Sequence, residues 1–172
     1  MHRLSTAGAG LLMAAALAAC SPPPPLLAPL RNTGARISSA ALFDPARFGG
    51  DWIVVQSGTP GCMGAKQSWI WDAKHGRYDL TGVDCTGLTP SRLNGEAELT
   101  GPGGRLSAIK GYGQDVIWVL WFDQDYRVAA LGTPSGSWGV ILVRPGHDRL
   151  DLINAAREVM EFNGYDTSRI GP

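Results

Sequence analysis

Hydrophobic and polar residues alternate along most of the chain after Gly50, in short segments separated by turn-forming residues. An alternation with a period of two residues is typical of strands that bury one face. The pattern predicts eight strands, near residues 51–58, 66–72, 77–85, 91–100, 104–110, 115–122, 126–133 and 137–144. Because the connections are short, strands adjacent in sequence are expected to pair. The pattern therefore predicts an all-β fold, an eight-stranded antiparallel up-and-down barrel.

A different period begins after the last of these segments. Pro145 and Gly146 end the strand pattern, and hydrophobic residues then recur at helical spacing until Gly164. These residues are Leu150, Ile153, Ala156, Val159 and Met160. The spacing predicts one C-terminal α-helix that packs on the outside of the barrel.

The alternation also indicates which side chains face the interior of the barrel. If Trp52 points inward, Val54 and Gln56 share its face. The same rule selects the candidate ligand-binding residues Trp69, Trp71, Tyr78, Leu80, Ala97, Trp138 and Val140. Segment 115–122 is ambiguous, because both of its faces are hydrophobic.

Small residues on the same strands bear on whether the interior is empty. Gly82, Gly95, Ala97 and Ala130 indicate open space between the large rings. An apolar cavity with few polar groups would select hydrophobic molecules without strict chemical discrimination. The alternative is that the rings fill the barrel and leave no cavity.

The start of the chain has the parts of a secretory signal: a short positive start and an apolar run over residues 7–19. The segment 17–20, Leu-Ala-Ala-Cys, resembles the lipobox of bacterial lipoproteins, in which the cysteine receives diacylglycerol. The resemblance implies a lipoprotein signal peptide at 1–19, a lipid-anchored proline-rich linker at 20–35, with acyl chains such as palmitate on Cys20, and one domain at 36–172. The alternative is an ordinary signal peptide followed by an unrelated cysteine.

Two further cysteines, Cys62 and Cys85, lie in the domain. An export signal directs the chain to an oxidising compartment, where pairs of cysteines form disulfides. The hairpin predicted between the two residues brings them to a similar level of the barrel. We therefore predict a disulfide, and the alternative is a free, reactive Cys62 in a loop that contains Gly61 and Gly64.

Composition and motifs narrow the classes of function. Fifteen Lys and Arg residues balance fifteen Asp and Glu residues, so the chain has no basic excess for binding nucleic acid. His75 and His147 fall in predicted turns, with no cysteine or carboxylate at metal-ligand spacing. The sequence contains no nucleophile elbow, phosphate loop or dinucleotide fingerprint. We therefore predict no enzymatic activity, no metal and no cofactor.

Four segments of the chain resemble the signatures of one family. Gly50-x-Trp52 opens the first strand, and 122–131 leads from an acidic turn into a later strand. Segment 138–145 is a strand that ends in Arg144, and 163–170 follows the predicted helix. In this order the segments resemble the lipocalins, in particular the bacterial outer-membrane lipoprotein lipocalins and their apolipoprotein D relatives.

The resemblance implies a fold, a set of landmark residues and a function. The landmarks, which have structural roles, are Gly50, Trp52, Asp123, Tyr126 and Arg144. Trp52 would plug the narrow end of the barrel, and Arg144 would lie on its indole face. The chain departs from the commoner pattern at Phe122 and Gln124, where Thr and Tyr are usual.

The implied function is binding, storage or transport of a small hydrophobic ligand, such as a fatty acid or a lysophospholipid. The implied location is the periplasmic side of the outer membrane, because Ser21 rather than Asp follows the lipidated cysteine. Two alternatives stay open. One is an enzyme on the same barrel with isomerase or epoxide chemistry, and the other is a structural envelope lipoprotein with a filled barrel.

Overall fold

The structure is a computed structural model that describes residues 28–171, so the predicted signal peptide and Cys20 lie outside the described residues. Eight strands are present: β1 (Gly50–Ser57), β2 (Lys66–Asp72), β3 (Arg77–Asp84), β4 (Ser91–Leu99), β5 (Arg105–Lys110), β6 (Val116–Phe122), β7 (Val128–Gly132) and β8 (Gly139–Val143). A short helix α1 (Pro45–Phe48) precedes β1, and helix α2 (Leu150–Phe162) follows β8.

The strands form a closed barrel in sequence order, and each strand is antiparallel to the next. β1 closes the barrel by pairing with β8, with Ile53 opposite Val143. The predicted eight-stranded up-and-down barrel is therefore confirmed. Closure leaves no strand edge unpaired.

The two ends of the barrel differ in how the chain crosses them. The closed end is the end where β1 begins and β8 finishes, and α1 lies across it. Asp44 caps α1 by accepting hydrogen bonds from the amides of Ala46 (3.0 Å) and Arg47 (3.2 Å). The cap fixes the helix so that Phe48 is fully buried over the closed end. The open end is the opposite end, formed by the loops 58–65, 85–90, 111–115 and 133–138.

Helix α2 packs on the outer face of the barrel, as predicted. Ile153, Ala156 and Met160 are its buried residues, and they join a second hydrophobic cluster with Ile141 and Val143 of β8. Burial of one helix face is what stabilises a helix of this length. Within residues 28–171, no helix has the length and hydrophobicity needed to cross a bilayer.

Residues that precede the barrel also pack against it. Leu30 and Arg31, which the sequence assigned to the linker, are buried. The Arg31 guanidinium donates to the carbonyls of Pro134 (2.6 Å), Ala35 (2.7 Å) and Asn163 (3.0 Å). This N-terminal segment is therefore fastened beside the open end.

Two irregularities change which residues face inward. The register of β1 shifts between Val54 and Gln56, so the prediction that Gln56 shares the inward face of Trp52 is wrong. The Gln56 side chain lies on the outer face, where its Oε1 accepts a hydrogen bond from Arg157 of α2 at 2.7 Å. A bulge inserts one unpaired residue, and every side chain beyond it changes face.

A similar shift resolves the ambiguous segment in β6. Ile117 and Val119 belong to the core inside the barrel, whereas Leu120 packs with the outer cluster under α2. The register shifts between Val119 and Trp121, which returns Phe122 to the inner cluster. Both faces of this strand are hydrophobic because one faces the barrel interior and the other faces the helix.

Candidate functional site

The barrel interior collects the side chains that the sequence selected as ligand-binding. Those buried in a single core cluster are Trp69, Tyr78, Leu80, Ala97, Trp138 and Val140. Trp71 is half-buried and packs against this cluster. The structure therefore brings these residues together, and their contact with a ligand stays a prediction.

The large rings of this cluster touch one another in a continuous chain. Trp71 and Tyr78 have centroids 4.8 Å apart, and Tyr78 and Trp69 have centroids 5.5 Å apart. From Trp69 the chain passes to Tyr112 at 5.2 Å, and from Tyr112 to Trp138 at 5.2 Å. Tilted and edge-to-face pairs of this kind add to the stability gained from burial alone. In this conformation the rings occupy the space between the strands.

Tyr112 is a member of this chain that sequence analysis missed. It lies in the loop after β5, which the sequence marks only as a turn because glycines flank it. The side chain enters the barrel from the open end and is fully buried. Its amide donates to a carboxylate oxygen of Asp84 (2.8 Å), and its hydroxyl donates to Gln67 Oε1 (3.1 Å).

The backbone that inserts Tyr112 is unusual. Four consecutive residues have positive φ: Gly111 (68°), Tyr112 (50°), Gly113 (67°) and Gln114 (52°). For residues with a side chain this left-handed conformation is sparsely populated. The loop therefore places the tyrosine at a local conformational cost, which the buried contacts of the ring offset.

The polar groups around Tyr112 are few. Gln67 is buried inside the barrel, where its amide nitrogen donates to the Val83 carbonyl (2.8 Å) and its oxygen also accepts from Trp69 Nε1 (3.3 Å). Burial raises the pKa of the Tyr112 hydroxyl, and the negative charge of Asp84 raises it further. Trp138 Nε1 is buried without a hydrogen-bond partner among the described residues. The interior thus holds one unused donor beside the rings of Trp69, Tyr112 and Trp138, which together form the ring cage.

Two of the small residues that suggested open space, Gly82 and Gly95, serve the backbone instead, and Ala130 lies outside the barrel in the cluster under α2. A Cβ atom on Gly82 would lie 2.1 Å from the Lys66 carbonyl oxygen, and Gly82 has a φ of +117°. A Cβ atom on Gly95 would lie 2.3 Å from the Lys110 carbonyl oxygen. Neighbouring strands therefore use the space at these two glycines, which does not contribute to a ligand cavity.

The predicted disulfide is present at the open end. Cys62 and Cys85 are bonded, with their Cα atoms 5.9 Å apart, so Cys62 is not a free thiol. The bond joins the β1–β2 loop to the β3–β4 loop. Thr59 Oγ1 lies 2.7 Å from the carbonyl oxygens of both Cys85 and Gly87, and its single proton is donated to this pair of acceptors.

The closed end is held by Arg144 and Trp52. The Arg144 guanidinium lies over the Trp52 ring and donates to the carbonyls of Phe48 (3.0 Å) and Gly49 (2.8 Å). Burial lowers the pKa of Arg144, while the Asp51 charge opposes this shift. Gly50 is needed beside them, because its φ is +107° and a Cβ atom would lie 2.9 Å from Arg144 Nη1.

Asp123 and Tyr126 organise the turn before β7. The Asp123 carboxylate accepts hydrogen bonds from the Val128 amide (2.8 Å) and from Arg127 Nε (2.8 Å). The Tyr126 hydroxyl accepts from the Asp44 amide (2.8 Å), which ties the turn to the start of α1. The landmark residues thus occupy the closed end, at the opposite end of the barrel from Tyr112.

Three cavities formed by residues 28–171 open at the surface. One of about 310 Å³ lies over β1 to β3, where Ile53, Ser68 and Thr81 line it. One of about 380 Å³ lies beside Ile70 and Trp71. The third, of about 620 Å³, is a groove at the open end, lined among others by Ala28, Leu30, Pro60, Leu88, Ser135 and Arg169.

Metal-binding chemistry is sparse in the described part of the chain. Residues 28–171 contain no group of three or more His, Cys, Asp or Glu side chains placed to hold a metal ion. His75 pairs with Asp72 on the exposed β2–β3 turn, with the ring nitrogen 2.5 Å from the carboxylate. This pair lies at the closed end, away from the ring cage.

Comparison with known proteins bears on the fold alone. No protein-family model matches the sequence, and no curated protein matches it. Among solved structures, the crystal structure of apocrustacyanin C1 superposes with a TM-score of 0.55 at 12% sequence identity. The match covers 74% of this chain and 77% of apocrustacyanin C1, which is itself a lipocalin. The barrel has the lipocalin fold. In this lipocalin fold, the open end is the end at which Tyr112 enters.

Proposed function

We propose that the protein binds a small hydrophobic ligand inside the barrel and has no enzymatic activity. The observation that carries the proposal is Tyr112, a ring inserted from a left-handed loop into a cage formed with Trp69 and Trp138. A ring held by a strained loop at the open end can be replaced by a ligand that fills the same apolar space. The strain released when the loop relaxes would offset part of the cost of displacing the ring.

The chemistry of the cage defines the class of ligand. Apolar and aromatic side chains surround the Tyr112 ring, so burial of apolar surface would supply most of the binding free energy. Two polar atoms would be available to a ligand that replaces this ring: Gln67 Oε1, which loses the tyrosine hydroxyl, and Trp138 Nε1, which has no partner. A fatty acid or a lysophospholipid, with an apolar chain and a polar end, fits this arrangement.

The proposal is tested by titrating the protein with fatty acids of increasing chain length while following tryptophan emission. Each methylene that becomes buried contributes up to ~0.8 kcal/mol, so affinity should rise with chain length until the site is full. Tyr112→Ala should bind the longer chains more tightly than the parent, because the ring no longer competes for the cage. Tyr112→Phe is the matched control, since it keeps the ring and removes only the hydrogen bond to Gln67.

Two results would contradict this function. One is the absence of saturable quenching in the parent and in Tyr112→Ala, with no displacement of a fluorescent lipid probe. The other is an affinity that does not change with chain length, which would indicate a surface contact with the head group. Native mass spectrometry after gentle purification gives an independent measurement, because a co-purified lipid would appear as added mass.

A structural role in the envelope is the second candidate, and the contact of the rings inside the barrel favours it. If the ring cage never opens, Tyr112→Ala creates an empty cavity and lowers stability without creating a binding site. The enzyme alternative has less support. Cys62 and Cys85 are joined in a disulfide, so neither supplies a thiol to the interior.

We further propose that the protein is a bacterial lipoprotein lipocalin, related to apolipoprotein D and anchored through Cys20 on the periplasmic side of the outer membrane. The lipobox-like segment 17–20 and the proline-rich stretch after it support this location. Cys20→Ala should then release the protein from the membrane fraction, and the parent should carry a diacylglyceryl mass on Cys20. Equal fractionation of the two proteins, with no added mass, would contradict the anchor.

A further inference from the structure

The two ends of the barrel differ sharply in charge. Asp115 is the only charged residue in the four loops of the open end, and its carboxylate accepts hydrogen bonds from the hydroxyls of Thr133 (3.0 Å) and Ser135 (3.0 Å). At the closed end, the segments 123–127 and 144–149 carry charges at Asp123, Asp125, Arg127, Arg144, Asp148 and Arg149. Loops that face bulk water usually carry charges. The open end lacks them, and its composition is that of a surface that contacts a partner or a membrane.

Two large apolar side chains protrude from this uncharged end. Met63 in the β1–β2 loop is 64% exposed, and Leu88 in the β3–β4 loop is 71% exposed. The disulfide and the Thr59 hydroxyl, which donates to the carbonyls of Cys85 and Gly87, hold their loops side by side. Because the loops are fastened to each other, Met63 and Leu88 stay on adjoining loops at the same end of the barrel, and these two side chains are called the apolar tip.

Three exposed cations lie at strand ends that adjoin the loops of the open end. Lys66 is the first residue of β2, Arg92 is the second residue of β4, and Lys110 is the last residue of β5. All three are exposed, and within residues 28–171 none of them forms a salt bridge. Apolar side chains on the loops and cations at the strand ends behind them match the depth profile of a bilayer, whose acyl region lies beneath its phosphates.

The chain enters the domain at the same end. Arg169 donates to the carbonyls of Ala28 (2.9 Å) and Pro29 (2.7 Å), and the Leu30 amide donates to the Gly136 carbonyl (2.6 Å). Ala28 and Leu88 line one groove. The described chain therefore begins beside the groove that Leu88 lines, eight residues after Cys20, the proposed point of lipid attachment.

We propose that the open end is a membrane-docking surface, which seats Met63 and Leu88 among the lipids and places Lys66, Arg92 and Lys110 at anionic phosphates. This surface goes beyond the proposed ligand site, because it rests on exposed loops and not on the interior of the barrel. The barrel would stand with its mouth against the bilayer and its charged closed end in water. A ligand that leaves the bilayer would then reach Tyr112 without crossing bulk water.

The test is hydroxyl-radical footprinting of the full chain, with and without vesicles of phosphatidylcholine and phosphatidylglycerol. Docking should protect Met63 and Leu88 from oxidation when vesicles are present. Leu42 and Leu150 are the controls, because they are 90% and 73% exposed near the closed end and should stay fully reactive. If Met63 and Leu88 are oxidised as fast with vesicles as without them, the domain hangs free on its tether and the proposal is wrong.

A second measurement isolates the role of the cations. Lys66→Gln/Arg92→Gln should lower the ratio of docked to undocked protein on vesicles with phosphatidylglycerol by roughly fivefold for each charge removed, as judged by the protection of Met63. Lys74→Gln/Arg149→Gln removes two exposed cations near the closed end and should leave the protection unchanged. Equal loss in both double variants would overturn the proposed orientation. Neither result depends on whether a fatty acid binds in the barrel, so the two proposals can fail separately.

Discussion

The guanidinium carbon of Arg144 lies 3.9 Å from the centroid of the Trp52 ring, at the point where the last strand of the barrel ends beside the first. The same guanidinium donates to backbone carbonyls of α1 and β1, among them Phe48 and Asp51. One side chain therefore joins the helix that covers the closed end to the two strands that close the barrel. A cation on an aromatic face and hydrogen bonds from a charged donor are both strong among non-covalent contacts.

Trp52→Ala should destabilise the domain by ~3–5 kcal/mol, because it removes a fully buried ring. Arg144→Lys should cost less, about 1.5–3 kcal/mol, because a lysine cannot reproduce the planar set of hydrogen bonds. Urea denaturation of both variants gives these values. Arg149→Lys is the matched control, since Arg149 pairs with Asp151 at the surface and should change stability little. Parental stability in both closed-end variants would show that the pair does not hold the barrel shut.

The Asp123 turn should make stability depend on acid pH. Burial acts to raise the pKa of Asp123, but the hydrogen bonds from Val128 and Arg127 outweigh it and lower the pKa below its ordinary value. The folded state therefore favours the ionised carboxylate. Its contribution is fully present above the unfolded-state pKa of about 3.9 and is lost as the pH falls through the lower folded-state pKa.

This pH dependence is measured by urea midpoints between neutral and strongly acid solution. Asp123→Asn should be less stable than the parent at neutral pH, and the difference should narrow as the solution is acidified. The exposed residue Asp125 provides the control, because Asp125→Asn removes a carboxylate from the same turn that is 61% exposed. A difference between parent and Asp123→Asn that is constant with pH would contradict the assigned role of the carboxylate.

The Cys62–Cys85 disulfide closes a loop with a sequence separation of 23 residues. Loop-closure entropy assigns such a bond about 3 kcal/mol, so Cys62→Ala/Cys85→Ala should lower the free energy of unfolding by about that amount. Thiol titration of the unfolded, non-reduced parent should find neither residue free. Two reactive thiols, one from each residue, would be incompatible with the bond.

Gly82→Ala should be far more damaging than Gly76→Ala, although both glycines have positive φ. At Gly76 nothing lies within 4 Å of a new Cβ atom, so the cost is the left-handed conformation alone, about 1–2 kcal/mol. At Gly82 the same methyl group also meets the Lys66 carbonyl, and the cost should be on the order of 3 kcal/mol or more. Thermal denaturation of the two variants compares them directly, and equal melting temperatures would argue against the close approach of β2 and β3.

The strands and the helix could be predicted because their periods of two and 3.6 residues are local properties of the sequence. The inward positions Trp69, Tyr78 and Leu80 followed from the same alternation. The outward position of Gln56 did not follow from alternation. It results from a bulge, which depends on how a strand pairs with its neighbour and leaves no mark in the hydrophobic pattern. The sequence shows that residue 82 is a glycine, but the reason is the close approach of the Lys66 backbone on the adjacent strand, which the sequence does not show.

The role of Tyr112 lay beyond prediction for a different reason. Its entry into the barrel depends on the φ angles of a loop, and alternation carries no information about loops. Gly111 and Gly113 on either side of an aromatic residue were the one available signal. Glycines around a large ring in a loop over an open barrel are consistent with a side chain turned inward, and with an exposed turn as well.

The disulfide also divides the rim of the barrel into two parts that differ in how firmly their loops are held. Because Cys62 and Cys85 join two of the four loops covalently, those loops move as one body, whereas 111–115 and 133–138 have no such bond to them. If a ligand enters the barrel, we expect the mouth to widen on the side that carries Tyr112 and Trp138, while the side that bears Met63 and Leu88 keeps its shape.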